Sequence, residues 1–347
     1  MIVLAVTIKL LSLNKTWVEE VYYGRIYPAI GSLLRIAFGW IPFSIGDIIY
    51  VLFFAWLLWK LFFLIKKLFQ KRVNKHELLR ITLKGIKIAL IIYIIFYGFW
   101  GMNYTRKGIA YQLQLDVKEY TKQEVILLDS LLRQKTNLYK AKLSAGNTKP
   151  DSYQEVFKKA YQCYDNALTE HPYFKYENRS IKPVFLGNLG AYLGFIGHYD
   201  PFTGEAQVNT TIPECALPFT TCHEIAHQIG YAKEYEANFA AYIAAQHSND
   251  DRFLYSTYLD LYLYANGELF KTDSLLAKQS RVYLIEPVQK DLRSLKAFKK
   301  DHETFLEPIS EKFYSIFLQL NEQPAGLRSY NKVVLWLIAY YKKHGSI

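Results

Sequence analysis

The sequence predicts an α+β chain, mostly helical, in which N-terminal transmembrane helices precede a domain carrying a small β-sheet. Three observations predict it. Two apolar runs flank a basic loop near the N-terminus, helix-start signals recur after residue 105, and one Gly-rich, β-branched stretch interrupts the helical texture between 184 and 211. The 347 residues are 51% hydrophobic and 16% aromatic, which excludes a disordered or collagen-like chain.

The first apolar run covers 48–65, within a span of about 45–65, and is broken only by Lys60, whose long stem lets its ammonium reach the nearer headgroups. The second covers 88–102, within a span of about 86–104, and is uncharged. Between them, 66–87 holds eight Lys/Arg against Glu77 alone, and this block accounts for most of the formal net charge of +11. A basic loop between two apolar runs is explained by the positive-inside rule, so a nucleic-acid partner is not expected and a lipid bilayer is. With 66–87 on the cytoplasmic side, the chain leaves the second span outward. In a bacterium this predicts a multi-pass inner-membrane protein, with 1–104 as membrane anchor and 105–347 as a periplasmic domain. The segment 2–13 is apolar around Lys9 and short, either a first span or an interfacial segment; it lacks the basic start and cleavage site of a signal peptide. Residues 27–40 carry aromatics beside Arg35 and are expected along the outer interface, ending at Pro42.

In the outer domain, Thr121-Lys122-Gln123-Glu124 has the capping-box form and opens a helix with Val125, Leu128, Leu131, Leu132 and Leu138 on its apolar face; Ser152-Tyr153-Gln154-Glu155 repeats the signal. The glycines of 184–211, with the turn Asp200-Pro201-Phe202-Thr203-Gly204, predict short strands joined tightly. The strand 205–209 is a candidate edge for pairing with an extended peptide. After Pro218 the chain reads as helical. Its three cysteines, Cys163, Cys215 and Cys222, are too few for a disulfide framework; Cys215 and Cys222 either pair or stay as buried thiols.

One stretch concentrates the chemistry: His223-Glu224-Ile225-Ala226-His227, followed by Gly230, Glu234 and Glu236. Four residues apart on a helix, His223 and His227 project from one face and can share a single Zn²⁺, while Glu224 stands beside them as general base without being a ligand. A third ligand is required, with a position left open for water. On a straight helix Glu234 would lie about 10 Å beyond His227. Gly230 resolves this, because a left-handed cap there lets the chain turn and a second helix begin near Lys233. Glu236, two positions on, is the competitor.

Glu234-Tyr235-Glu236-Ala237-Asn238 resembles the E-x-x-A-D/N segment by which gluzincin metallopeptidases supply their third ligand. The resemblance implies a zincin-like domain, metal ligation by Glu234, and an Asn238 that supports a ligand by hydrogen bonding; Lys233 stands where a metzincin would place its third histidine. Over nearly the whole chain the sequence is also similar to an uncharacterised family of bacterial membrane proteins found mainly in Bacteroidota-type organisms. The residues carrying that likeness are Gly197 to Ala206, the His223–Gln228 block, Glu234 to Asn238, and Gly326-Leu327-Arg328-Ser329-Tyr330. It implies a zinc peptidase acting on a peptide or protein. Zinc would lower the pKa of a coordinated water to about 7 and Glu224 would take its proton. His198, Tyr199, Tyr231 and Tyr330 are candidates for stabilising the oxyanion. The alternative is a zinc-binding sensor or scaffold without turnover. His171, His247 and His302 are expected at the surface or at helix caps. Leu292, Leu295 and Phe298 are expected as one buried stripe, and 333–341 as a helix docking on the domain or on the membrane surface.

Overall fold

A computed structural model describes residues 1–70, 74–146, 149–185, 187–324, 326 and 332–347. The chain is mostly helical with one three-stranded sheet. Helix α1 (Ile2–Leu13) lies along a later helix (Lys75–Phe99); a π-helical stretch (Val18–Ile26) leads into α2 (Tyr27–Phe38). Helices α3 (Ile45–Phe69) and α4 (Lys75–Phe99) are 25 residues each. Among the described residues only α3 is long and apolar enough to cross a membrane, and the most apolar window of that helix has mean hydropathy 2.4 and no buried residue. This property is shared by a membrane span and a signal sequence. Helix α4 is amphipathic in length as well as in section: Lys75, Arg80, Lys84 and Lys87 occupy its first half, and its apolar stretch follows.

Next come α5 (Lys122–Ala145) and α6 (Tyr153–Ala167), each opened by the expected capping box. In both, the Ser/Thr oxygen accepts from the backbone N–H three residues on, while the glutamate there accepts from the cap residue's own N–H. The strands are β1 (Ile181–Pro183), β2 (Gly197–Asp200) and β3 (Glu205–Val208), ordered β1-β3-β2, with β1 parallel and β2 antiparallel to β3. Gly204, at φ +70°, makes the turn between β2 and β3. Strand β3 is therefore the central strand, hydrogen-bonded on both sides, and cannot receive a substrate by edge addition; β1 and β2 are the edges.

The rest is helical: α7 (Leu217–Gln228), α8 (Glu234–Gln246), α9 (Asp251–Thr272), α10 (Ser274–Val282), α11 (Glu286–Asp301), α12 (Glu307–Leu320) and α13 (Lys332–His344). Helix α8 runs through the middle of the main core, with every residue from Glu234 to Ala245 buried. Its alanines let neighbours approach closely, while Phe239 and Tyr242 meet Trp336 and Tyr340 edge-on. Val333, Val334, Trp336 and Leu337 are buried there, so α13 docks on the domain and not on a membrane surface. Leu292, Leu295 and Phe298 of α11 form the expected stripe against the core. All three cysteines are free.

The residues before 104 also pack against the rest of the chain. A second apolar cluster joins Ile8, Val18, Tyr22 and Tyr27 to Trp100, Met102, Tyr104, Tyr199 and Ala232. Helix α2, expected along the outer interface, buries Tyr27, Gly31 and Arg35 against the domain. The first turn of α3 sits on the sheet: the N–H groups of Ile45 and Gly46 donate to the buried carboxylate of Glu205 (3.3 and 2.9 Å), which also pairs with Lys182. An anion at a helix N-terminus meets both the free N–H groups and the positive end of the helix dipole.

Candidate metal centre

Helix α7 presents His223 and His227 one turn apart, with the rings edge to face at 4.6 Å between centroids. The helix then stops in the way the sequence predicts. Gly230 adopts φ +102°, its N–H donates to the His227 carbonyl (2.9 Å), and the Tyr231 N–H donates to the Ala226 carbonyl (3.0 Å). This is a Schellman cap. A side chain at 230 would also meet the rings of Tyr23 and Tyr27 at about 3 Å. Helix α8 starts four residues later with Glu234, and the bend brings that carboxylate back to the histidines. Glu234 Oε2 lies 3.2 Å from His223 Nε2 and 3.3 Å from His227 Nε2. Glu236 faces away and pairs with Lys233 at 3.2 Å beside Gly108.

Each imidazole is oriented from its other nitrogen. His223 Nδ1 donates to Asn238 Oδ1 and His227 Nδ1 to the Tyr231 carbonyl, both at 2.7 Å. Because a carbonyl only accepts, His227 Nδ1 carries a proton, and Nε2 is the ring nitrogen that faces Glu234. Two ring nitrogens and one carboxylate thus converge, all within 4.8 Å of one another. A tetrahedral zinc with bonds of about 2.0–2.1 Å has ligand–ligand edges of about 3.3–3.4 Å, which the two measured distances match. The donors fit such an ion.

The electrostatics agree with a cation's place. Burial alone would depress His227, but the Glu234 carboxylate outweighs it and lifts the imidazole to about 9. Burial also works against the charge on Glu234, and the two histidines nevertheless hold its carboxyl well below the usual range. Glu224 is not a member of the triad. Burial pushes its carboxyl up against the pull of both histidines, and its Oε2 has no hydrogen-bond partner among the described residues. Gly197 of β2 packs on it so closely that a Cβ there would collide with the carboxylate.

These groups line one end of a cavity of about 1240 Å³. His198 lies in its wall, 3.5 Å from Asp47 of α3, and its imidazole is raised: burial lowers it, but Asp47 and Glu224 more than compensate. Tyr199 also lines the cavity, with its hydroxyl 3.5 Å from that of Tyr27, whereas Tyr231 donates to Gln112 (2.7 Å). Tyr330 lies outside the described residues. Three lining residues carry no sequence signal. Tyr314 of α12 donates to Glu234 Oε1, while Asp260 and Tyr264 of α9 border His223 and Asn238. Burial, opposed by His223, pushes Asp260 to about 7.

Behind the triad a brace satisfies the C-terminal carbonyls of α7. Trp100 Nε1 donates to His227 (3.2 Å), the Tyr27 hydroxyl to Gln228 (2.6 Å), and Arg106 Nη1 to Gly230 (2.7 Å). Arg106 is itself held by buried Glu19 at 2.9 Å. His171 and His247, expected as surface or capping groups, gather with Glu170 into a second set of converging donors, while His302 caps α11 through the Phe298 carbonyl (2.8 Å).

Comparison with known families gives one match. The family described as "Protein of unknown function (DUF3810)" covers residues 22–338, and the chain belongs to it. No curated protein and no solved structure matches.

Proposed function

We propose that this member of a family of unknown function is a membrane-anchored zinc metallopeptidase with a zincin-like catalytic domain. The observation that carries the reading is the convergence of His223 Nε2, His227 Nε2 and Glu234 Oε2 beside a buried carboxylate, Glu224, whose outer oxygen is unpartnered among the described residues. Zinc held by His223, His227 and Glu234 would supply Lewis acidity and a water of lowered pKa. Glu224 takes a proton from the attacking water and delivers it to the departing amine nitrogen. Burial favours this exchange, because it raises the carboxyl toward the working range of a general base. Gly197 lets the β2 backbone approach Glu224, and the free edge of β2 offers N–H and C=O groups to an extended peptide lying across the cavity. His198, in the cavity wall and tending toward its protonated form, is suited to face a developing oxyanion.

The location follows from charge and packing. Helix α3 crosses the inner membrane, α4 returns beside it, and the basic residues of 66–87 stay on the cytoplasmic side, so the metal centre faces the periplasm. The lipid bilayer is the first partner, a peptide or protein the second. A zinc-binding sensor or scaffold is the other reading, supported by the same triad if Glu224 is never used.

The test is metal analysis and peptide hydrolysis on the full chain in detergent, because the brace from Tyr27, Trp100 and Glu19 would be lost from the 105–347 segment alone. One zinc per chain is expected in wild type and in Glu224→Gln. Hydrolysis should fall by about 10²–10⁴ in the variant. A zinc-loaded wild type and an equally loaded Glu224→Gln that both leave a broad peptide library intact would establish the sensor reading instead.

A further inference from the structure

The cavity does not end at the metal centre. From His223 and Glu224 it continues past Tyr104 and Trp100, then along α4 to Phe96, Tyr93, Ile92 and Ala89, and Tyr50 of α3 lines it too. Ala89 lies about 15 Å down the axis from the outer end of α4. That depth is about half the thickness of a bilayer's hydrocarbon core. The neighbouring outward surface of both helices is apolar, with Ile88, Ile91, Ile49 and Leu52 exposed. Resting on the reading above, in which α3 and α4 lie in the bilayer, the cavity therefore opens sideways into the lipid.

We propose that the substrate is a peptide carrying a covalently attached acyl chain, which enters from the bilayer and lies between α3 and α4 while its peptide portion reaches Glu224. Two arguments select an acyl chain over a polypeptide. The lower wall is formed by Ala89, Ile92, Tyr93 and Phe96, and only one of these has a polar atom. A polypeptide unwound against it would leave its N–H and C=O groups unsatisfied, at several kcal/mol each, whereas an acyl chain has none. A helix does satisfy its own backbone, but it is too wide. At about 10 Å across, it would use the entire 1240 Å³ in about 15 Å of length and leave no room at the metal centre.

The experiment uses the full chain as Glu224→Gln in phosphatidylethanolamine and phosphatidylglycerol vesicles. The probes are an N-palmitoylated octapeptide bearing a benzophenone on the acyl chain, and a soluble octapeptide with the same photogroup. The acylated probe should label the 89–96 segment at least about tenfold more than the soluble one, and Ala89→Trp, which fills the slot, should cut that labelling about tenfold. Leu57→Trp, on the exposed face of α3, should leave it unchanged. Labelling needs no metal, so it should persist in His223→Ala; failure of the zinc reading is thereby separated from failure of this one. Equal labelling by both probes, insensitivity to Ala89→Trp, or full displacement by an unacylated transmembrane helix would overturn the proposal.

Discussion

Two groups of histidine and carboxylate converge among the described residues, and they differ in almost everything except ligand type. His223, His227 and Glu234 meet inside the domain; Glu170, His171 and His247 meet on its surface. In both groups the Nδ1 atoms are held, in the second by the Tyr173 hydroxyl and the Ile243 carbonyl, each at 2.9 Å. Orientation of the rings does not distinguish them. Solvent does: the Glu234 side chain is 6% exposed and that of Glu170 71%. Water can solvate the surface carboxylate, so it needs no counter-ion, whereas the buried one is costly unless a cation or an imidazolium lies against it. A second carboxylate, Glu224, stands beside the inner group and a deep cavity opens on it. Proximity of donors is thus the weaker criterion, and desolvation with a reactive neighbour the stronger.

The comparison breaks most sharply on metal content. His223→Ala or His227→Ala should drop the purified protein from one zinc to none, while His171→Ala and His247→Ala should leave it at one, by elemental analysis after dialysis. Retention in the first pair and loss in the second would reverse the assignment. The next effect concerns the brace that only the inner group possesses. Glu19→Ala leaves Arg106 buried without its partner and should cost about 3–5 kcal/mol in denaturant unfolding, whereas removing surface-exposed Glu170 should cost less than about 1 kcal/mol. Asn238→Ala frees His223 to rotate and should weaken zinc about 10–100-fold in competition with a chelator, with the fold intact by circular dichroism. Smallest is Tyr27→Phe, which removes one capping hydrogen bond from the Gln228 carbonyl and should cost about 1 kcal/mol; a null effect would show that the brace acts by packing alone.

Much of the inner group was legible because its information is local. The four-residue spacing of the histidines, the glycine three positions later and both capping boxes are statements about one or two helical turns, and each is where the sequence predicts it. The preference for Glu234 over Glu236 rests on the resemblance to the gluzincin E-x-x-A-D/N segment, and the structure turns Glu234 toward the histidines and Glu236 toward Lys233. The brace was not legible. Glu19 and Arg106 are far apart in sequence, and their meeting depends on how the π-helical stretch Val18–Ile26 and the residues after α4 fold against each other. Tyr314 is one of 29 tyrosines, and nothing in its neighbours marks it as the one that donates to Glu234. Strand β3 is central and not an edge because it pairs with β1, which is three residues long and too short to announce itself in the sequence. Residues 27–40 read as interfacial because an aromatic, apolar helix beside an arginine suits a headgroup layer as well as it suits a protein surface.

The elbow at Gly230 makes the site intolerant of length. One residue inserted among 231–233 would swing the Glu234 carboxylate by about 100° around its helix axis and leave the imidazoles facing an alanine or an empty wall. Composition and hydropathy would hardly shift in such a chain, and every catalytic letter would remain. Counting from the second histidine to the next carboxylate is accordingly the quickest way to separate sequences that retain a working clamp from those that keep only its vocabulary.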